Sequence, residues 1–232
     1  MCTVSYIPKW NGFILTSNRD ESPLRVTRLP MEEVLSNGTK ITFPQDVNKG
    51  GSWIAMDENG RAACLLNGAF RNHKKKEKYR ASRGSIVIAA FEAESFKSFL
   101  SDLSLENIEP FTLLLVSSGK LQTLVWDGYR KHISDLATDT PHLWSSSTLY
   151  SREQHTAKLD YFVDSLGMNK TTESSVLKIH GSEKDTPFIL RGDDISTVSI
   201  TQLSFNGKQR KITYILKKKR NEELISIPIH LS

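Results

Sequence analysis

Apolar and polar positions along the chain fall into short runs punctuated by glycine-containing turns. Residues 3–8 are β-prone, Asn11-Gly12 is a tight-turn dipeptide, and residues 13–16 return as a second strand. The arrangement recurs at residues 52–56, a turn at Glu58-Asn59-Gly60, and residues 61–66. That return strand is almost continuously apolar, through Ala62, Ala63, Cys64, Leu65 and Leu66, the pattern of a strand covered on both faces. A third pair, 111–117 and 121–126, is joined at Ser118-Gly119-Lys120. The chain ends in β, at 195–205, the turn Asn206-Gly207, 209–216 and 224–229.

The period lengthens to that of a helix in four places. Residues 84–91 and 94–103 predict two helices, the second with Phe96, Phe99, Leu100 and Leu103 at helical spacing. Residues 151–166 predict a third, with Leu159, Phe162, Val163 and Leu166 as its buried face and Gly167 as its stop. Residues 172–180 predict a shorter fourth. Strands, two helices, strands, two helices, strands is the order of an α+β protein, with stacked antiparallel sheets covered by helix layers. No linker-like stretch or internal repeat divides residues 1–232, which read as a single domain.

Composition narrows the class. A chain of 232 residues, 38% hydrophobic and 25% charged, is long enough to bury most of its surface without metal or disulfide staples. No apolar run approaches the ~18 residues of a membrane span. Net charge is +5, with much of the excess in segments 71–83 and 208–220. Such clusters suit a solvated loop and a charged strand end, or an anionic partner; no zinc-finger spacing or RNA-binding aromatic motif supports nucleic acid. Two cysteines make no disulfide framework and no signal peptide is visible, so the expected compartment is cytoplasmic. The six histidines show no metal-ligand spacing, and no metal or cofactor is expected.

Candidate chemistry begins at Cys2. Removal of Met1 would leave a residue carrying both a thiol and an α-amine of ordinary pKa about 7.7–8.0, and a neutral amine can serve the adjacent thiol as general base. Asn18-Arg19-Asp20-Glu21 follows at the end of the second strand, near the same end of the hairpin as Cys2. Arg19 would favour a thiolate or hold a carboxylate, and Asp20 would hold the α-ammonium or orient the arginine. A polar turn with an internal Arg–Asp pair is the structural alternative. Asn67 ends the apolar strand, where a carboxamide can donate to an oxyanion; a turn asparagine before glycine is its plainer role. Cys64, inside that strand, reads as a small buried hydrophobe.

Met1-Cys2, Thr16-Ser17-Asn18-Arg19-Asp20-Glu21, Gly50-Gly51-Ser52-Trp53-Ile54-Ala55, Asn59-Gly60-Arg61-Ala62-Ala63 and Ser82-Arg83-Gly84 together resemble the NRDE family, the transport-and-Golgi-organisation 2 group. That family is similar to N-terminal nucleophile (Ntn) hydrolases of the bile-salt-hydrolase and penicillin-acylase type. The resemblance implies a four-layer αββα sandwich and an amidase acting on a non-peptide C–N bond. It implies Cys2 as nucleophile, Arg19 and Asp20 as its partners, and Asn67 as an oxyanion donor. The acylases separate their arginine and aspartate by two residues. Position-for-position counting therefore puts Asn18 and Glu21 in those places, and both enter as substrate-binding candidates. Ser145-Ser146 stands where relatives carry Ser-Asn, making Ser146 a further candidate, and Ser196-Thr197 stands near a family arginine. The partner expected is a small amide. The alternative implied by the family is a non-catalytic protein that binds or traffics an amphipathic ligand such as haem or an acyl-coenzyme A.

Overall fold

A computed structural model describes residues 3–168, 170–217 and 225–231. Its strands and helices in chain order are β1 (Thr3–Lys9), β2 (Gly12–Glu21), β3 (Thr27–Val34), β4 (Lys40–Asp46), β5 (Ile54–Asp57), β6 (Ala62–Asn67), α1 (Arg83–Glu92) and α2 (Phe96–Asp102). They continue as β7 (Phe111–Ser117), β8 (Lys120–Trp126), β9 (Lys131–Leu136), β10 (His142–Ser145), α3 (Arg152–Met168), α4 (Glu173–Ile179), β11 (Ser196–Phe205), β12 (Arg210–Leu216) and β13 (Ile225–Leu231). The chain divides into two compact units, one built on each of two sheets.

The first unit comprises residues 1–24, 139–145 and 149–232. Its sheet runs β10-β1-β2-β11-β12-β13, every pair antiparallel. Asn11 takes a positive φ of 56° in the β1–β2 turn, as the Asn-Gly dipeptide predicted. Thr3, Ser5 and Ile7 on β1, with Ile14, Thr16, Asn18 and Asp20 on β2, share the face turned to α3 and α4. Ile7, Ile14, Leu143, Phe162, Val176, Ile179 and Phe188 form its apolar core. Between Thr197 and Ser199 the β2–β11 register shifts, placing Val198 in a bulge opposite Arg19 and Asp20.

The helix face of α3 differs from the expected one. Phe162 is buried, and Leu166 packs against the core, but Leu159 and Val163 are exposed and the second buried residue is Lys158. The stripe that meets the sheet is thus offset from the most apolar one, because Thr3 on β1 and the Tyr150 ring engage Lys158. The helix also continues one residue past Gly167, which carries no left-handed φ.

The second unit comprises residues 25–138 and 146–148. Its sheet runs β3-β4-β5-β6-β7-β8-β9, again antiparallel throughout. Ala62–Leu66 are buried, as their unbroken apolar run required, and α1 packs on β5 and β6. Ile86, Val87, Ala90 and Phe91 are the buried side of α1, which Ser82 caps by accepting from the Gly84 N–H. Gly51 and Gly84 meet backbone to backbone, so a Cβ at Gly51 has no room. Sequence patterning had not marked β3, β4, β9 or β10: β3 and β9 are largely exposed and β10 has four residues.

Candidate active site

The tetrad Asn18–Glu21 lies within β2, where successive side chains point to opposite faces of the sheet. Asn18 and Asp20 go to the helix side, as their partners show; Arg19 and Glu21 go to the other. Arg19 and Asp20 are therefore adjacent in sequence but serve different faces. Thr3 pairs directly with Asn18. Cys2 lies outside the described residues.

Every polar atom of the Asn18 carboxamide is engaged. Its Nδ2 donates to the carbonyls of His180 (3.1 Å) and Phe188 (3.0 Å), which fixes the amide orientation. Oδ1 then accepts from His180 Nδ1 at 2.6 Å, leaving His180 Nε2 to accept from the Ser5 hydroxyl at 2.7 Å. His180 is fully buried, and burial first, the Lys158 charge second, push it down to about 3. The ring is neutral, in the tautomer this chain of bonds demands. With no open space at Ser5, the Ser5–His180–Asn18 series is a fastener between sheet and helices rather than a catalytic triad.

Asp20 is bound equally firmly. Its carboxylate accepts from Tyr150 Oη (2.6 Å) and from Thr197 Oγ1 (2.5 Å), while Thr197 Oγ1 accepts from the Leu190 N–H. Lys158 Nζ donates to Thr3 Oγ1 at 2.8 Å and sits 3.3 Å from the centre of the Tyr150 ring. Thr3, Ser5 and Asn18 are thus tied to the helix layer by side-chain bonds, and Asp20 to Tyr150 and to β11.

The opposite face of the same sheet is also polar. Arg19 is 2% exposed and stands across from Ser199, with Ser17 across from Thr201. The Ser199 and Thr201 hydroxyls are buried and have no hydrogen-bond partner among the described residues. Glu21, half-buried at the end of β2, accepts from the Ser22 N–H.

Asn67 and Ser146 belong to the second unit, which brings them together. Ser146 Oγ donates to the Asn67 carbonyl at 2.7 Å and lies 2.9 Å from Thr148 Oγ1. Gly68 follows at φ 85°, with Ser147 and Thr148 packed where a side chain would project, so glycine is required there. The Asn67 carboxamide is half-buried and accepts or donates no hydrogen bond among the described residues.

Sequence reasoning missed Tyr150, Lys158, His180 and Thr197. One signal for Lys158 existed: it shares a stripe with Phe162 and Leu166, at i, i+4 and i+8. Among the described residues no group of three or more His, Cys, Asp or Glu side chains could hold a metal, and no helix is long and apolar enough to cross a membrane.

Comparisons with known proteins agree on the fold. The Transport and Golgi organisation 2 family model matches residues 1–228. No curated protein matches the sequence. Among solved structures, a Caenorhabditis elegans N-acylethanolamine-hydrolyzing acid amidase ortholog superposes with a TM-score of 0.62 at 12% identity, covering 87% of this chain and 92% of that one. Penicillin V acylase from Agrobacterium tumefaciens gives 0.58 at 12% identity, over 98% and 86%. Conjugated bile acid hydrolase from Clostridium perfringens gives 0.55 at 12% identity, over 97% and 92%. The fold is the αββα fold of Ntn hydrolases.

Proposed function

Because the chain belongs to the Transport and Golgi organisation 2 family and has an Ntn-hydrolase fold, we propose that it hydrolyses a non-peptide C–N amide with Cys2 as nucleophile. The observation that carries this reading is the pairing of Thr3, peptide-bonded to Cys2, with Asn18, beside the buried Arg19 and opposite a bulge. Bulges of this kind often re-aim side chains beside reactive centres.

In this reading, removal of Met1 frees the Cys2 α-amine. The amine takes the thiol proton as Sγ bonds to the amide carbonyl carbon. The oxyanion is held by backbone N–H groups, an interaction worth about 3 kcal/mol in the transition state. Collapse breaks the C–N bond, and the leaving amine takes the proton from the α-ammonium. Water then attacks the thioester, returning a proton through the α-amine to Sγ; amide and water become acid and amine. Arg19 supports the thiolate or a substrate carboxylate, and Glu21 contacts the substrate. Asn18 and Asp20, committed to these bonds, are positioning residues.

The test is amide cleavage in a panel of N-acylethanolamines, penicillin V and conjugated bile acids, the compounds named for the structural neighbours. Turnover should fall at least about a thousandfold in Cys2→Ala. Full turnover by Cys2→Ala would contradict the reading.

A second reading, binding of an amphipathic ligand without turnover, has one observation in its favour. The second unit holds a cleft of about 700 Å³ walled by Ile86, Ala89, Phe99, Leu103 and Ile108, with Lys49 and Arg80 on its lining. Haem or an acyl-coenzyme A, tested by titration, would bind there and be recovered unchanged.

A further inference from the structure

Three loops meet at one end of the second unit's sheet, where β6 and β8 finish and β7 and β9 begin. Residues 68–82 follow β6, residues 103–110 lead into β7, and residues 127–130 join β8 to β9. Side-chain contacts hold these segments together. His73 Nε2 lies 3.3 Å from Glu109 Oε1, and Arg80 donates to the Ser104 and Glu106 carbonyls. The Phe70 ring meets the His132 ring edge to face, with centres 5.0 Å apart. His132 in turn binds Asp127 Oδ2, while Oδ1 accepts from the Tyr129 and Arg130 N–H groups.

This bonding divides the cations of the sheet end into two kinds. Arg80 is spent on carbonyls, Arg83 on Glu109, and Lys131 on the carbonyls that end α2. Arg71, Lys74, Lys75, Lys76, Lys78 and Arg130 are exposed, and their side chains make no ion pair or hydrogen bond among the described residues. Of the acids in the three loops, Glu109 and Asp127 are engaged as above, which leaves Glu77 and Glu106 against six unpaired cations. Like charges crowded in this way repel one another, and an anionic partner relieves the repulsion.

Two aromatic rings stand among these charges largely in water: Phe70 is 66% exposed and Tyr129 90% exposed. Rings that stack on nucleic-acid bases sit on an open sheet face or in a groove that tracks the backbone. Phe70 and Tyr129 instead sit on loops at the sheet end, beside cations, the placement of a ring that enters a headgroup layer. Basic charge and inserted apolar surface are the two signals that together hold a protein on a bilayer.

We propose that this end of the second unit is a docking surface for an anionic phospholipid bilayer, with the six unpaired cations on the headgroups and Phe70 and Tyr129 in the interfacial layer. The surface belongs to the second unit alone and requires nothing of Cys2. Each lysine or arginine held within a Debye length of such a bilayer, about 8 Å at physiological salt, strengthens binding roughly fivefold.

The experiment is co-sedimentation of the tag-free full chain with vesicles of phosphatidylcholine, alone or with about 30 mol% phosphatidylserine. The chain should sediment with the serine-containing vesicles only, and about 0.5 M salt should release it. Lys74→Gln/Lys75→Gln/Lys76→Gln should weaken binding about a hundredfold, and Phe70→Ser/Tyr129→Ser about tenfold. Lys170→Gln/Lys184→Gln/Lys208→Gln removes the same charge from exposed positions of the first unit and should change binding less than about threefold.

No sedimentation with the serine-containing vesicles overturns the proposal. So does an equal loss in the two triple variants, which would make net charge the cause, or an unmoved affinity in Phe70→Ser/Tyr129→Ser. Release by inorganic phosphate at matched ionic strength would make the surface a site for free phosphate. Tighter retention of a single-stranded RNA oligonucleotide, lost in the lysine variant of residues 74–76, would make it a nucleic-acid surface. Either result overturns the assignment to a bilayer.

Discussion

The two units solve the problem of attaching helices to a sheet in opposite ways. In the second, α1 meets β5 and β6 with Ile86, Val87, Ala90 and Phe91, and Phe91 stacks edge-on against Phe96 of α2. In the first, an apolar core is supplemented by Thr3–Lys158 and Ser5–His180–Asn18. An apolar contact tolerates any side chain of suitable size, whereas a fully bonded polar set accepts one geometry. The strands fixed this way are β1 and β2, which carry the tetrad and follow Cys2. The unit with the candidate nucleophile is the one whose register and side-chain directions are specified bond by bond.

That contrast can be broken experimentally. Phe91→Ala in the apolar attachment should cost about 4 kcal/mol, equally at every pH, by urea titration. The polar attachment should respond to acid instead. Buried His180 titrates near 3 when folded and near 6.5 when unfolded. Unfolding therefore takes up a proton between those values, and stability falls as pH drops through that window. From pH 7 to 4.5 this contributes a loss of roughly 3 kcal/mol; His180→Gln should be less stable at pH 7 but should lack that part of the slope. A parent and variant with parallel pH profiles would remove the distinction between the units.

Smaller effects sharpen it. Asn18→Ala strands the His180 Nδ1–H and two carbonyls and should cost roughly 2 kcal/mol. The same network makes Asn18→Ala and Ser5→Ala non-additive by about 1 kcal/mol in a double-mutant cycle. On α3, Val163→Lys should change stability by no more than about 0.5 kcal/mol, because that side chain is 59% exposed. A large loss there would restore the more apolar stripe as the buried one.

What could be read in advance followed local rules. The hairpins at Asn11-Gly12, Gly60, Gly119 and Asn206-Gly207 are set by turns that few residues allow, and the strand ending at Asn67 by its unbroken apolar run. β3 was invisible because most of its residues are exposed and Pro30 interrupts its pattern, and β10 because four residues show no period. The face of α3 was misjudged for a physical reason: Leu159 and Val163 have the right spacing, but Thr3 on the sheet offered Lys158 a hydroxyl and Tyr150 an aromatic ring. This buried cation is held by a partner far away in sequence, Thr3, and no local pattern announces that. Likewise the tetrad drew notice as a block, while its division between two sheet faces follows from the strand period and the bonds to Asn18 and Asp20.

The central claim is that Cys2 is an exposed, reactive N-terminal residue, and intact mass tests it most directly. Tag-free protein from its own host would be weighed before and after brief iodoacetamide treatment, with the label located by peptide mass. The account predicts a chain one methionine short that gains one alkyl group at Cys2, with buried Cys64 unlabelled. A chain that retains Met1, or a Cys2 that stays unmodified in the folded protein, would contradict it.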